Sequence, residues 1–175
     1  MTEIRRVAII GGNRIPFTRS NTAYSHASNM DMLSAALIGL VERFNLQGER
    51  LGEVAAGAVM KHSRDFNLAR EATLNSGLSL ETPAYDVQQA CGTGLEAAIL
   101  VANKIALGQI DAGIAGGTDT ASDAPLALNE AFRIMMLDLS RAKTVGARLK
   151  VLSRFRPGML VPRPPAPGEP RTGLS

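Results

Sequence analysis

The chain has 175 residues, 45% of them hydrophobic, with no Trp and a single cysteine. That length suits one ordinary domain with an appendage and supports a hydrophobic core. One Cys excludes an intramolecular disulfide and any zinc site built on several thiolates. The formal charge of +3 is unevenly spread: 10 basic and 14 acidic residues fall in 1–132, against 9 and 2 in 133–175. The basic segment suits an anionic ligand, an acidic partner, nucleic acid or a membrane surface. Nucleic acid is disfavoured, because Phe155 is the lone aromatic among the basic residues and offers little for base stacking. Met1 to Arg6 runs directly into a short apolar stretch, so no signal peptide is expected. No stretch approaches the ~18 apolar residues of a membrane helix. A soluble, cytoplasmic protein is the expectation, and the lone Cys agrees with a reducing compartment.

Val7 to Ile10 reads as a first buried strand. Gly11-Gly12-Asn13-Arg14 follows, but it is not a dinucleotide-binding loop, and Pro16 argues against a helix starting there. Residues 13–28 form a polar loop containing His26, read as an exposed or hydrogen-bonded loop residue. Ser28 or Asn29 can cap a helix whose apolar face is Leu33, Ala36, Leu37, Leu40, Val41 and Phe44. Asn45 to Gly48 ends it. Val54 to Val59 is a second buried strand, followed by a loop with His62 and Arg64. Residues 67–76 are weakly helical, with Gly77 suited to the position after the helix.

A third strand spans Ala84 to Gln88. The apolar run Leu95 to Leu107 is a helix whose polar members Glu96, Asn103 and Lys104 share one narrow face, so it is expected to be covered on most sides. Asp111 to Gly117 is a fourth strand of very small residues, against which a bulky neighbour must press. Alternating strands and helices predict an α/β fold, a parallel or mixed sheet with helices on both faces. Residues 129–142 can form another helix, with Phe132, Met135, Met136 and Leu139 as its apolar members. From Phe155 onward periodicity is lost, and six of the nine prolines lie between 157 and 170.

Chemistry concentrates at Asp86-Val87-Gln88-Gln89-Ala90-Cys91-Gly92-Thr93-Gly94. A strand leads in, a small-residue turn follows, and a long helix begins. A thiol there lies at a helix N-terminus, where unpaired N–H groups and the helix dipole favour the thiolate. That is the placement a cysteine nucleophile needs. The competing reading is a buried Cys serving only as a small hydrophobe.

This segment, together with Gly113-Ile114-Ala115-Gly116-Gly117-Thr118-Asp119-Thr120-Ala121-Ser122 and the opening Val7 to Phe17, resembles the N-terminal half of thiolases, acetyl-CoA acyltransferases. The likeness is strongest to the long-chain 3-ketoacyl-CoA thiolase subunits of fatty-acid oxidation complexes, where Gln-Gln-Ala-Cys-Gly-Thr-Gly is typical. Gln88 and Thr93 stand where the commoner thiolase form has Asn and Ser, which speaks against the short-chain biosynthetic branch. The resemblance implies a layered α-β-α-β-α fold of which this chain is the N-terminal half, with a mixed sheet and a buried helix after the nucleophile. Residues 1–128 would be the α/β core and 129–175 the beginning of an inserted loop domain.

The resemblance further implies that Cys91 is the nucleophile, forms an acyl-thioester, and lends its backbone N–H to an oxyanion hole. Coenzyme A would be a co-substrate, with no permanently bound cofactor and no metal. The basic segment Arg141 to Arg171 would lie near the CoA phosphates. The implied partners are acyl-CoA substrates, a second copy or a C-terminal half, and a hydratase/dehydrogenase subunit. The family's Gly-His-Pro, Asn-Glu-x-Phe and second Cys-x-Gly motifs are not found in this sequence, so the chain is expected to be incomplete and close to inactive alone. Two rivals are a β-ketoacyl synthase, against which Gly92-Thr93-Gly94 speaks, and a non-catalytic, dimer-forming fragment.

Overall fold

The computed structural model describes residues 4–166, 168, 169 and 171–173. Met1 and Thr2 of the opening segment, and Pro167 and Pro170 of the proline-rich one, lie outside the described residues. The chain divides into two compact units, one ending at Asp123 and the other starting at Ala124.

In the first unit, helix α1 (Asn29–Phe44) begins at Ser28, whose hydroxyl caps the Asp31 N–H while the Asp31 carboxylate accepts from the Ser28 N–H at 2.9 Å. This reciprocal box satisfies two backbone donors at the helix start. Asn45, at φ +54°, ends the helix in the left-handed conformation. Strand β1 (Glu53–Ala56) is buried throughout. It lies between β2 (Ala84–Asp86) and β3 (Gly113–Ala115), both parallel to it. Helix α2 is Leu68–Asn75 and α3 is Thr93–Ala106.

Side chains alternate across a strand, so β1 feeds two cores. Val54 and Ala56 face α1 and α2, packing with Val41 and Leu78 and with Leu33, Leu37, Leu68 and Ala72. Ala55 faces α3 and packs on Ala97 and Val101. Burying a Leu or Val of this kind contributes roughly 1.5–3 kcal/mol. The small residues of β3 have the expected reason: a Cβ at Gly113 would lie 2.8 Å from Val101 Cγ1.

Three expectations are corrected. Val7 to Ile10 is not a buried strand; Ile9 is 94% exposed, and the segment pairs with no described strand. An aliphatic run becomes a strand only when a neighbouring edge accepts its N–H and C=O groups. The sheet is purely parallel among the described strands rather than mixed. Helix α3 buries one stripe, Thr93, Ala97 and Val101, while Leu95 is 69% exposed. A helix covered on most sides needs packing layers on two of them, and the buried residues of α3 pack on the sheet face alone, with the Arg5 N–H reaching the Ala106 carbonyl at its end at 2.9 Å.

In the second unit, α4 (Glu130–Arg141) and α5 (Val145–Leu152) form a helical hairpin with Met135 and Val151 buried. The helix expected over 129–142 forms; of its apolar members Met135 is buried, Phe132 and Leu139 are half-buried and Met136 is exposed. Beyond it, Ala127 and Arg163 exchange antiparallel backbone hydrogen bonds of 2.9 and 2.8 Å.

Candidate active site

Cys91 is exposed, two residues before α3 begins. Its position is set by a tight turn. Ala90 takes φ +44°, a left-handed conformation that a non-glycine residue adopts at a cost of roughly 1–3 kcal/mol. Thr93 holds it there. Its Oγ1 donates to the Ala90 carbonyl at 2.7 Å and accepts from the Gln89 N–H at 2.9 Å. The Gly92 N–H closes the same turn on the Gln89 carbonyl at 2.9 Å. Such side-chain closure of a turn is a common use of Ser and Thr.

Three anchors fix this turn to the sheet. Gly57, just after β1, lets the Val87 carbonyl approach so closely that a Cβ would sit 1.8 Å from its oxygen. The Gln88 side-chain amide donates to the Val59 carbonyl at 3.3 Å. Asp86, at the end of β2, accepts from the Leu68 and Ala69 N–H groups at 3.2 and 2.7 Å and pairs with Lys61. That carboxylate therefore sits at the positive N-terminus of α2.

The second motif meets the first through its glycines and Asp119. A Cβ on Gly117 would lie 3.1 Å from the Gly57 carbonyl and 3.9 Å from Gly94 Cα. Asp119 accepts from the Val59 and Met60 N–H groups at 2.7 and 3.1 Å, fixing the loop that carries Lys61. Sequence reading did not assign roles to Thr93, Asp86 or Asp119. The three-residue spacing of Thr93 from Ala90 is a local signal for the first; Asp119 reaches 60 residues back and leaves no local signal.

Neither histidine hydrogen-bonds Cys91. His26 is exposed, and His62 Nε2 lies 3.0 Å from the Asp123 carbonyl and 3.1 Å from its carboxylate, which also accepts from Arg64 at 2.6 Å. Among the described residues no cluster of three or more His, Cys, Asp or Glu side chains could hold a metal. On the α3 face of the sheet, buried Glu53 pairs with Lys104 and accepts from the Tyr85 hydroxyl at 3.2 Å. Lys104 also lies 4.9 Å from the centre of the Tyr85 ring. Its ammonium is held above its ordinary pKa, chiefly by the hydrogen bond to Glu53, and burial raises the Tyr85 phenol.

What the arrangement offers is an accessible thiol on a constrained turn at the start of a helix. The family model for the thiolase N-terminal domain matches residues 7–160. The chain belongs to the thiolase family. Its thiolase sequence is 36% identical to a 3-ketoacyl-CoA thiolase of Pseudoalteromonas translucida over 97% of the chain and 39% of that protein. It is 39% identical to a Vibrio cholerae 3-ketoacyl-CoA thiolase with the same coverage. It is also 39% identical to the mouse mitochondrial trifunctional enzyme subunit beta, over 95% of the chain and 35% of that protein. The thiolase fold is seen as well in the Bacillus anthracis acetyl-CoA acetyltransferase, with a TM-score of 0.69 at 26% identity over 73% of this chain and 32% of that one. The chain thus spans about 39% of the length of the first two relatives.

Proposed function

We propose that the chain carries the nucleophile of a thiolase reaction, the transfer of an acyl group from a 3-ketoacyl-CoA to coenzyme A through an acyl-Cys91 intermediate. The Cys91 thiolate attacks the 3-keto carbon, and the carbonyl π electrons move onto oxygen. Collapse of that oxyanion breaks the C2–C3 bond. The leaving carbon departs as the acetyl-CoA enolate and takes up a proton. The thiol of a second CoA then attacks the acyl-thioester, releasing a shortened acyl-CoA and regenerating Cys91.

The observation that carries this reading is the exposed Cys91 on a strained turn locked by Thr93 at the start of α3. The Cys91 N–H is the proposed oxyanion donor; removing one such donor costs on the order of a hundredfold or more in rate. No histidine hydrogen-bonds the thiol, so the base and the second acid/base are assigned to a C-terminal thiolase half, present in the same polypeptide or supplied by another. Residues 1–128 are read as the core and 129–175 as the start of the inserted loop domain. Further proposals are a cytoplasmic, oligomeric enzyme with CoA as co-substrate rather than resident cofactor, and a hydratase/dehydrogenase subunit as partner. That the mouse relative is the beta subunit of a trifunctional enzyme supports assembly into a complex.

The test mixes this chain with the C-terminal portion of its Vibrio cholerae relative and a 3-ketoacyl-CoA. A burst of acetyl-CoA, stoichiometric with Cys91 and absent for Cys91→Ser, is the expected result. A burst that survives Cys91→Ser would refute it.

A further inference from the structure

A cavity of about 450 Å³ lies where the start of α1, the short helical turn Ser63–Asp65 and α2 meet. Ser28, Arg64, Asp65, Phe66, Asn67 and Glu71 are on its wall, and Cys91 chemistry uses none of them. Asp65 is 3% exposed, yet its Oδ2 has no hydrogen-bond partner among the described residues. Arg64 Nε lies 3.9 Å from the other carboxylate oxygen, beyond hydrogen-bond reach. The Arg64 guanidinium donates to Asp123 instead, at 2.6 Å. Nor does α2 have a donor to spare. The Leu68 and Ala69 N–H groups go to Asp86, and those of Arg70 and Glu71 go to Asn67. These are the helix-start donors that a nearby carboxylate would otherwise take. Asn29, between the wall residues Ser28 and Met30, is also buried and leaves its Oδ1 unpartnered among the described residues. Buried acceptors without donors are rare, and a carboxylate is the costliest of them. Glu71 adds a second carboxylate to the wall, exposed and in no ion pair among the described residues.

We propose that this cavity binds the ammonium group of a small primary amine, with Asp65 as its counter-ion and Glu71 as a second carboxylate on the wall. The unsatisfied atoms select the ligand. Both are acceptors, so they call for a donor. An ammonium carries several N–H donors together with the positive charge that a buried carboxylate requires. An anion is disfavoured, because Arg64 is the one basic residue on the wall and is committed to Asp123. A divalent metal takes several carboxylate oxygens, and no cluster of three or more His, Cys, Asp or Glu among the described residues could hold one. The volume is that of a small-molecule site, more than a single ion fills. Phe66, 89% exposed on the wall, adds a ring of the kind that attracts organic cations.

The test is isothermal titration calorimetry of the whole chain with n-butylammonium chloride at fixed ionic strength. Saturable binding is expected. Asp65→Asn should weaken it by on the order of tenfold or more, the loss of one charged hydrogen bond. Glu71→Gln should weaken it by about two- to fivefold, as for an exposed ion pair. Because Glu71 is exposed, this variant keeps the fold and tests the site even if Asp65→Asn unfolds the chain. Tetramethylammonium, which has the charge but no N–H, should bind about tenfold more weakly or worse. Four results would overturn the proposal. These are no saturable heat, an unchanged affinity in either variant, binding of tetramethylammonium or potassium as tight as that of n-butylammonium, or tighter binding of Nα-acetyl-lysine amide. The last would give the site to a lysine side chain of a partner protein, and the small-amine assignment would be wrong.

Discussion

Thr93 Oγ1 lies 2.7 Å from the Ala90 carbonyl oxygen and takes the Gln89 N–H at 2.9 Å, so one hydroxyl holds both ends of the turn that presents Cys91. Thr93 is itself buried, and losing that hydroxyl strands a partly buried donor and acceptor. Thr93→Val should therefore destabilise the first unit by about 1–3 kcal/mol. Thr93→Ser, which keeps the hydroxyl, should cost about 1 kcal/mol or less. Urea unfolding midpoints measure both. The Val variant should also change the iodoacetamide alkylation rate of Cys91, because Ala90 loses the contact that fixes its left-handed backbone.

Gly57 occupies a position where no other residue fits. Its would-be Cβ, 1.8 Å from the Val87 oxygen, meets backbone that cannot swing aside. Gly57→Ala should cost about 3 kcal/mol or more, at or above the upper end for an overpacked site. Gly116→Ala, where nothing lies within 4 Å, is the control and should stay within about 0.5 kcal/mol. A comparable urea midpoint for the two variants would show that the β1–Cys91 approach is looser than described.

The Glu53, Lys104 and Tyr85 cluster gives alkaline pH a defined effect. Lys104 and Tyr85 both have folded pKa values raised above their ordinary values, 10.5 and 10.0. For groups shifted this way, the stabilisation is fully present below the unfolded value and is lost as pH rises through the folded one. Stability should therefore fall from about pH 10 upward. Lys104→Met should remove the lysine share of that slope and Tyr85→Phe the tyrosine share. Lys104→Met also leaves the buried Glu53 carboxylate without its cation. That loss should sit at or below the lower end of the roughly 3–5 kcal/mol seen when a buried pair is broken, because Lys104 is itself partly exposed. Denaturant unfolding between pH 7 and 11 reads all three effects.

Much of this was legible from local pattern. The α1 face, its Ser28 cap and the stops at Asn45 after α1 and Gly77 after α2 follow from spacing and turn chemistry, because they depend on residues within one or two turns. The small residues of β3 announced the pressure of Val101 for the same reason. What escaped depends on partners distant in sequence. Val7 to Ile10 has strand composition but no described neighbour to pair with. The apolarity of α3 overstated its burial, since one packed layer covers one stripe. Helix α5 was missed because Gly146 weakens an eight-residue pattern that Thr144 nonetheless caps through the Ala147 N–H at 3.2 Å. At the site, the cysteine and its glycines were readable. The carboxylates of Asp86 and Asp119 act across 17 to 60 residues and became visible only in the fold.

The most direct measurement is peptide mass analysis after an acid quench of the chain, its C-terminal thiolase complement and a 3-ketoacyl-CoA. The acyl group, shortened by two carbons, should be found on the peptide containing Cys91 and should leave it when free coenzyme A is added. An unmodified Cys91 peptide under conditions that release acetyl-CoA, or the acyl group on another residue, would contradict the assignment of Cys91 as the nucleophile.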